Sequence, residues 1–214
     1  MSENLTDETK MRILYLTEYY PPKTFGGGEI GAKVLAENVA ELQDAIVLTS
    51  RFPDLEKIEK RNEVKIIREL KSANPGGFLN EVERNLSFKK SVSEKLPKII
   101  EEEDPDLIHC LNTSSIEAAS GVETKIPKLA TINSYRNLCP KANLFLNEEE
   151  ECTGGSLGKC LPCMWRSEYF GKTEVNPLLK YPLSIPLYEM YRRRKKSLKK
   201  MDRLIAISSF VQRA

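Results

Sequence analysis

Residues 11–42 read MRILYLTEYYPPKTFGGGEIGAKVLAENVAEL. A short apolar run, Ile13-Leu14-Tyr15-Leu16, is stopped by Pro21-Pro22, and a glycine triplet follows at Gly26, Gly27 and Gly28. Beyond it, Ala32, Leu35, Val39 and Leu42 recur at helical spacing. The pattern predicts a buried parallel strand, a tight loop, and the start of a helix packed back on the sheet. Glycine lets the main chain approach a ligand, and the N–H groups at a helix start favour an anion. Such an opening points to an α/β domain that handles nucleotides or sugars.

Working outward, the 214 residues suffice for one large or two small domains. Thirty-three basic residues against 31 acidic leave a formal net charge of +2, which implies no nucleic-acid partner. No apolar run approaches the ~20 residues that span a bilayer. The first ten residues, MSENLTDETK, are polar, have no apolar signal region, and read as a flexible extension (1–10) before the first strand. These features predict a cytoplasmic chain.

Ala45 to Thr49 reads as a second buried strand, and the alternating Val64-Lys65-Ile66-Ile67 as a third, at the sheet edge. Asn74-Pro75-Gly76-Gly77 is a loop by composition. Between 81 and 102, Val82, Leu86, Val92, Leu96, Ile99 and Ile100 suit one amphipathic helix or two, with a kink or a break at Pro97. Leu107 to Cys110 is a strand, followed by a helix capped by Ser114 or Ser115 with Glu117 in its first turn. Pro127 to Ile132 is the next strand, 137–166 an irregular polar insertion, and 183–200 a helix with a basic end. Met201 to Ser208 forms the last strand, with Ser208 or Ser209 capping the segment after it. Strands alternate with helices, so the expected fold is α/β: a single Rossmann-like three-layer domain with a mainly parallel sheet and a cysteine-rich insertion.

Three segments carry a resemblance. MRILYLTEYYPPKTFGGGE, PDLIHCLNTSS and MDRLIAISSFVQRA resemble, in order and spacing, the strand–loop segments of the N-terminal domain of GT-B glycosyltransferases of family 4. The resemblance implies that residues 11–214 are the acceptor-side Rossmann-like domain of a retaining glycosyltransferase. It would transfer a sugar from a nucleotide-sugar to a glycan or lipid-linked acceptor. In that family a second domain binds most of the donor and catalysis occurs between the two. The chain stops at Ala214, where the interdomain linker would begin. The expectation is therefore a half-enzyme whose C-terminal donor-binding domain is absent, inactive in isolation.

Within that resemblance, Gly26, Gly27 and Gly28 become cofactor-binding candidates, with Gly27 and Gly28 beside the donor diphosphate. The glycines can equally serve the turn alone. Family members commonly read T-x-H-D after the strand that here ends in Thr131-Ile132; this chain has Asn133 and Ser134. Asn133 hydrogen-bonds both ways but is no base near neutral pH. The two residues are candidates for the acceptor loop, not confident catalytic groups. His109, the sole histidine, reads as a buried strand residue with structural standing, and Cys110 as a small hydrophobe.

Cys139, Cys152, Cys160 and Cys163 are spaced C-x12-C-x7-C-x2-C. Four thiolates with one C-x2-C pair suit a tetrahedral structural zinc, which would supply ordering energy to a loop with little core. Two disulfides, an iron–sulfur cluster or free thiols are the alternatives. Residues 191–200 carry seven positive charges. They suit a solvated helix face or, with Tyr181, Leu183, Ile185, Leu187 and Tyr188 ahead of them, a peripheral contact with anionic lipid at the inner membrane face. A non-catalytic module that docks a partner or membrane through the cysteine loop and basic helix is the competing reading.

Overall fold

The computed structural model describes residues 10–72, 78–147, 149–166 and 177–213, without the side chains of 78–82, 177–181 and 183. The expected N-terminal extension up to residue 9, the Asn74–Gly77 loop, the Val82, Tyr181 and Leu183 side chains, and Ala214 lie outside the described residues.

The opening stretch folds as β1 (Arg12–Leu16) and α1 (Gly27–Ala40). β2 (Asp44–Ser50), β3 (Ile58–Arg61) and β4 (Val64–Leu70) follow, then the long α2 (Phe78–Glu103), β5 (Leu107–Cys110), α3 (Thr113–Ala119) and β6 (Lys128–Ile132). With β9 (Arg203–Ala206) these strands make a seven-stranded sheet in the order β3-β4-β2-β1-β5-β6-β9. The β1–β2, β1–β5, β2–β4 and β5–β6 pairs are parallel, and β3 runs antiparallel to β4. The fold is a mainly parallel, Rossmann-like sheet flanked by helices.

Burial follows the two-residue strand period. Ile13, Tyr15, Ala45, Val47, Val64 and Ile66 pack with Ala32, Leu35, Ala36 and Val39 of α1. The alternate residues Leu14, Leu16, Ile46 and Leu48 are equally buried, so both faces are covered, as a parallel sheet requires. Leu42 is not part of the apolar face of α1: the helix ends before it, and it is 62 % exposed.

Three further expectations are corrected. Val64–Ile67 is not the sheet edge, because β3 forms a hairpin outside it. Asn62 and Glu63 both take positive φ in that turn (47° and 62°), the backbone sense that matches strand twist. Ile58-Glu59-Lys60-Arg61 has one apolar residue and so carries no core signal. Pro97 does not break α2; Phe88, Val92, Leu96 and Ile99 are all buried along it, and that packing outweighs the missing N–H. The cap of α3 is Asn112, not Ser114 or Ser115. Its Oδ1 accepts the Ser115 N–H at 2.8 Å, and Ser115 Oγ accepts the Asn112 N–H at 3.1 Å, a reciprocal capping box.

Polar ties fix the strand ends. The Arg12 N–H donates to Asp106 Oδ2 at 2.7 Å, and the Asp106 N–H to the Arg12 carbonyl at 2.8 Å. Asp202 and Lys128 repeat this between the last two strands, at 2.7 and 2.8 Å. The buried Lys128 ammonium donates to the Ala119 and Val122 carbonyls, neutralising the negative end of α3.

The chain groups into two compact units. One ends at Thr131 and regains Met201–Ile205; the other comprises Ile132–Lys200 and the residues from Ala206. In the second unit, residues 137–166 are not wholly irregular. A 3-10 turn (Tyr135–Asn137) precedes a short hairpin of β7 (Phe145–Leu146) and β8 (Glu150–Glu151), and α4 (Leu157–Arg166) follows. α5 (Pro177–Leu198) and α6 (Ser209–Arg213) complete the unit. Ser208 caps α6 as expected, its Oγ accepting the Val211 N–H at 3.2 Å.

Candidate functional site

In the first unit the chain leaves β1 toward β2 on one side and later returns to β5 on the other. The loops after β1 and β5 therefore diverge, and the crevice outside their carboxyl ends is where open α/β sheets take ligands. Gly26, Gly27 and Gly28 follow β1 at the start of α1, on this edge.

The fold does not need Gly26 or Gly27 to be glycine locally. Gly26 is extended (φ −171°), a conformation any residue adopts. A Cβ on Gly27 would meet nothing within 4 Å, and on Gly26 only Glu29 Oε2 at an ordinary 3.7 Å. Glu29, one turn into α1, accepts the Gly26 N–H at 2.9 Å. A carboxylate of the chain thus sits at the helix start, where the dipole favours negative charge.

Buried polar groups gather behind the loop. Asn112 Nδ2 donates to Thr17 Oγ1 at 3.1 Å, joining the carboxyl ends of β5 and β1. Glu18, 4 % exposed, accepts from Ser72 Oγ at 2.7 Å and lies 3.4 Å from Arg84 Nε. Its carbonyl receives the Thr49 hydroxyl and the Ser50 N–H, each at 3.2 Å. Ser50 Oγ is buried and has no hydrogen-bond partner. Tyr19 contacts Ser72 Oγ at 3.2 Å, and burial raises its phenol above the ordinary value. Glu18, Ser72 and Arg84 escape the sequence because their partners are more than fifty residues apart; the one local signal is a polar Thr-Glu pair closing an apolar strand.

His109 stands in β5, 4 % exposed. Nε2 lies 2.8 Å from Thr131 Oγ1, and the ring packs 5.4 Å from that of Tyr15. Burial lowers its pKa to about 4, so it is neutral at physiological pH. Cys110 is fully buried and its thiol is pushed up to about 12, chiefly by desolvation, consistent with a small hydrophobe.

Asn133 and Ser134 open the second unit. Ser134 Oγ accepts the Arg136 N–H at 3.2 Å and caps the 3-10 turn, a local structural use of that side chain. The glycines and the Asn133–Ser134 pair thus belong to different units.

The four cysteines all belong to the second unit and line one small cavity, together with Lys141 and Lys159. Cys160 and Cys163 share a face of α4, Cys139 follows the 3-10 turn and Cys152 follows β8. All are free thiols. Burial, then Cys139, Cys152 and Cys163, push the Cys160 thiol up to about 11. Among the described residues no group of three or more His, Cys, Asp or Glu side chains converges closely enough to hold a metal ion.

Leu187 and Tyr188 pack against Cys160 and Met164, so they do not form part of an exposed apolar strip. Ile185 is 59 % exposed. In the basic run, Tyr191, Ser197 and Leu198 are buried, while Arg192, Arg193, Lys195, Lys196, Lys199 and Lys200 are exposed. No helix among the described residues is long and apolar enough to cross a membrane. A groove of about 560 Å³ lies at the opposite end of the sheet, beside Arg12, Asp44, Lys65 and Glu103. Its charges pair with each other, Lys65 to Glu103 at 2.7 Å, and it is remote from the crevice.

No protein-family model matches the chain. Over 152 residues it is 30 % identical to a Klebsiella pneumoniae protein described as an "Uncharacterized 42.6 kDa protein in cps region", a match covering 64 % of this chain and 40 % of that protein. Its fold is similar to that of sucrose-phosphate synthase from Thermosynechococcus elongatus, with a TM-score of 0.51 and 15 % identity over 92 % of this chain and 48 % of the other. The chain spans less than half the length of either protein.

Proposed function

We propose that the chain is the acceptor-side part of a retaining glycosyltransferase that moves a sugar from a nucleotide-sugar to a glycan or lipid-linked acceptor. The observation that carries the proposal is the glycine loop at the β1–β5 crevice: Gly26 and Gly27 stand where neither a left-handed backbone nor a lack of space calls for glycine. Close approach of a diphosphate to main-chain N–H groups is what such positions serve. The resemblance of three sequence segments to family 4 and the fold likeness to a sucrose-phosphate synthase support the same class. On this reading the donor is shared with a second Rossmann-like domain encoded beyond Ala214, and Asn133 contacts acceptor or sugar hydroxyls. The exposed basic side chains of α5 approach anionic headgroups at the inner membrane face.

Retaining transfer through such a site relies on positioning and on stabilising the leaving diphosphate, so His109, neutral and buried, is a positioning residue at most. The test is to express the whole reading frame and incubate it with labelled UDP- and GDP-sugars and a lipid extract. Sugar transfer or release supports the reading. A protein that neither binds nor consumes any nucleotide-sugar refutes it and favours the docking module.

A further inference from the structure

We propose that Cys152 and Cys160 form a thiol–disulfide exchange site, closed into an intrachain disulfide by a small-molecule disulfide of the oxidised-glutathione class. The proposal does not rest on the glycosyltransferase reading. Cys139, Cys152, Cys160 and Cys163 border one cavity of about 10 Å³ in the second unit, room for a single water-sized sphere. Among the described residues no three metal-ligating side chains are placed to share an ion, so the chemistry open to these thiols is pairwise.

Two observations single out one pair. Cys139, Cys160 and Cys163 are buried, whereas Cys152 is only partly so, which makes it the thiol that a dissolved disulfide reaches. Seven residues separate it from Cys160, and the chain between them folds back onto α4. Gly154 takes a positive φ of 123°, and its carbonyl accepts the Cys152 thiol at 3.5 Å. Gly155 then lies against the Cys160 sulfur so closely that a Cβ there would have no room. The other two thiols are engaged elsewhere. Cys163 Sγ accepts the Asn147 N–H at 3.2 Å and donates to the Phe145 carbonyl at 3.6 Å. Cys139 donates to Asn143 Oδ1 at 3.9 Å.

The reaction is two successive exchanges. The Cys152 thiolate attacks one sulfur of the oxidant; the oxidant's S–S bond breaks, and the released thiolate takes up the proton that Cys152 lost. The Cys160 sulfur, its proton passing to solvent, then attacks Cys152 Sγ. The mixed disulfide breaks, and the second small thiolate leaves and is protonated in turn. Two protein thiols and one small disulfide become one protein disulfide and two small thiols, so two electrons leave the protein. The new bond ties the residue after β8 to α4. The apolar cluster there is small, Cys160 and Met164 with Leu161, Leu187 and Tyr188, so a crosslink adds cohesion that side-chain packing does not supply.

The experiment incubates the reduced, folded 214-residue chain with oxidised glutathione, blocks the remaining thiols by alkylation, and maps the proteolytic peptides by mass. The five thiols of the reduced chain should fall by two, with a linked peptide pair carrying Cys152 and Cys160, and dithiothreitol should restore all of them. Cys110, fully buried in β5, should stay alkylatable once the chain is unfolded. Cys160→Ser should trap a glutathionyl group on Cys152, because the second exchange has lost its nucleophile. Cys152→Ser should leave Cys160 a free thiol. Should the serine variants fail to fold, the peptide map of the unaltered chain decides alone. The presence of the Cys152–Cys160 pair supports the assignment. Its absence from the treated chain, whether all five thiols persist, other cysteines pair instead, or glutathione stays on Cys152, would overturn it.

Discussion

His109 Nε2 and Thr131 Oγ1 lie 2.8 Å apart and tie β5 to β6 in the first unit. The imidazole is buried and its pKa is lowered to about 4, against an ordinary value near ~6.5 in the unfolded chain. The unfolded state therefore binds the proton more readily. The contribution is fully present above about pH 6.5 and is lost as pH falls through about 4, and it amounts to about 3 kcal/mol. Because this is the sole histidine, its imidazole proton resonances are unambiguous. An NMR titration should show no midpoint between pH 6 and 7, and acid should destabilise the fold in denaturant melts over that lower range. A midpoint near 6.5 would show that the ring is solvated.

Arg68 is buried in β4, donating from Nη1 to Glu59 at 2.8 Å and from Nη2 to the Pro21 carbonyl at 3.0 Å. Its removal strands a carboxylate and a carbonyl and leaves a cavity. Arg68→Ala should destabilise the chain by about 3 kcal/mol. Glu59→Gln should cost less, since the Glu59 side chain is 26 % exposed and water replaces the lost charge. Thermal or urea unfolding of both variants and of the double variant checks this; the double variant should fall short of the sum.

Asn112 serves α3 and the crevice at once, capping Ser115 and donating to Thr17. Asn112→Ala should cost about 1 kcal/mol for the cap, with a further loss for the hydrogen bond to Thr17, whose hydroxyl keeps its own bond to the Tyr19 carbonyl. Asn112→Asp keeps an acceptor for Ser115 and places negative charge at the helix start, so it should recover most of the cap while losing the donor to Thr17. Equal destabilisation by both substitutions would mean that the Thr17 contact dominates.

The alternation of apolar runs with helical spacing made β1, β2, β4, β5, β6 and β9 readable from the sequence, because each strand reads as a compact, mostly apolar run. β3 was not readable: Ile58-Glu59-Lys60-Arg61 sits at an edge, faces water, and is recognisable only from the hairpin that Asn62 and Glu63 turn. Local preference also misplaced the α3 cap and the expected break at Pro97, where tertiary packing prevails. In the candidate site, the glycine loop was legible because its spacing is local. The Glu18–Ser72–Arg84 cluster was not, since its members meet only when β1, the segment after β4 and α2 assemble. The cysteine spacing announced a shared location, and the four residues do border one cavity.

Glu29 holds the Gly26 N–H at 2.9 Å and so competes with any anion arriving at the start of α1. Glu29→Gln removes the repulsion and should strengthen nucleoside diphosphate binding severalfold, with loss of no more than about 1 kcal/mol of helix stability. Calorimetric titration with UDP and GDP, beside a urea melt, measures both. Unchanged affinity would place the diphosphate away from this helix.

The central claim is that the glycine loop serves a ligand and not the fold, and Gly27 tests it most directly. Its Cβ position is open, so Gly27→Asp should fold with unchanged or slightly higher stability, by about 0.5 kcal/mol from the favourable dipole. The same substitution sets a carboxylate where the diphosphate would lie. Titration of the protein from the whole reading frame with UDP and GDP should show binding by the unaltered chain and at least a tenfold loss in Gly27→Asp. Equal affinity in the two proteins, with both folded, would contradict the assignment of this loop to the donor phosphate.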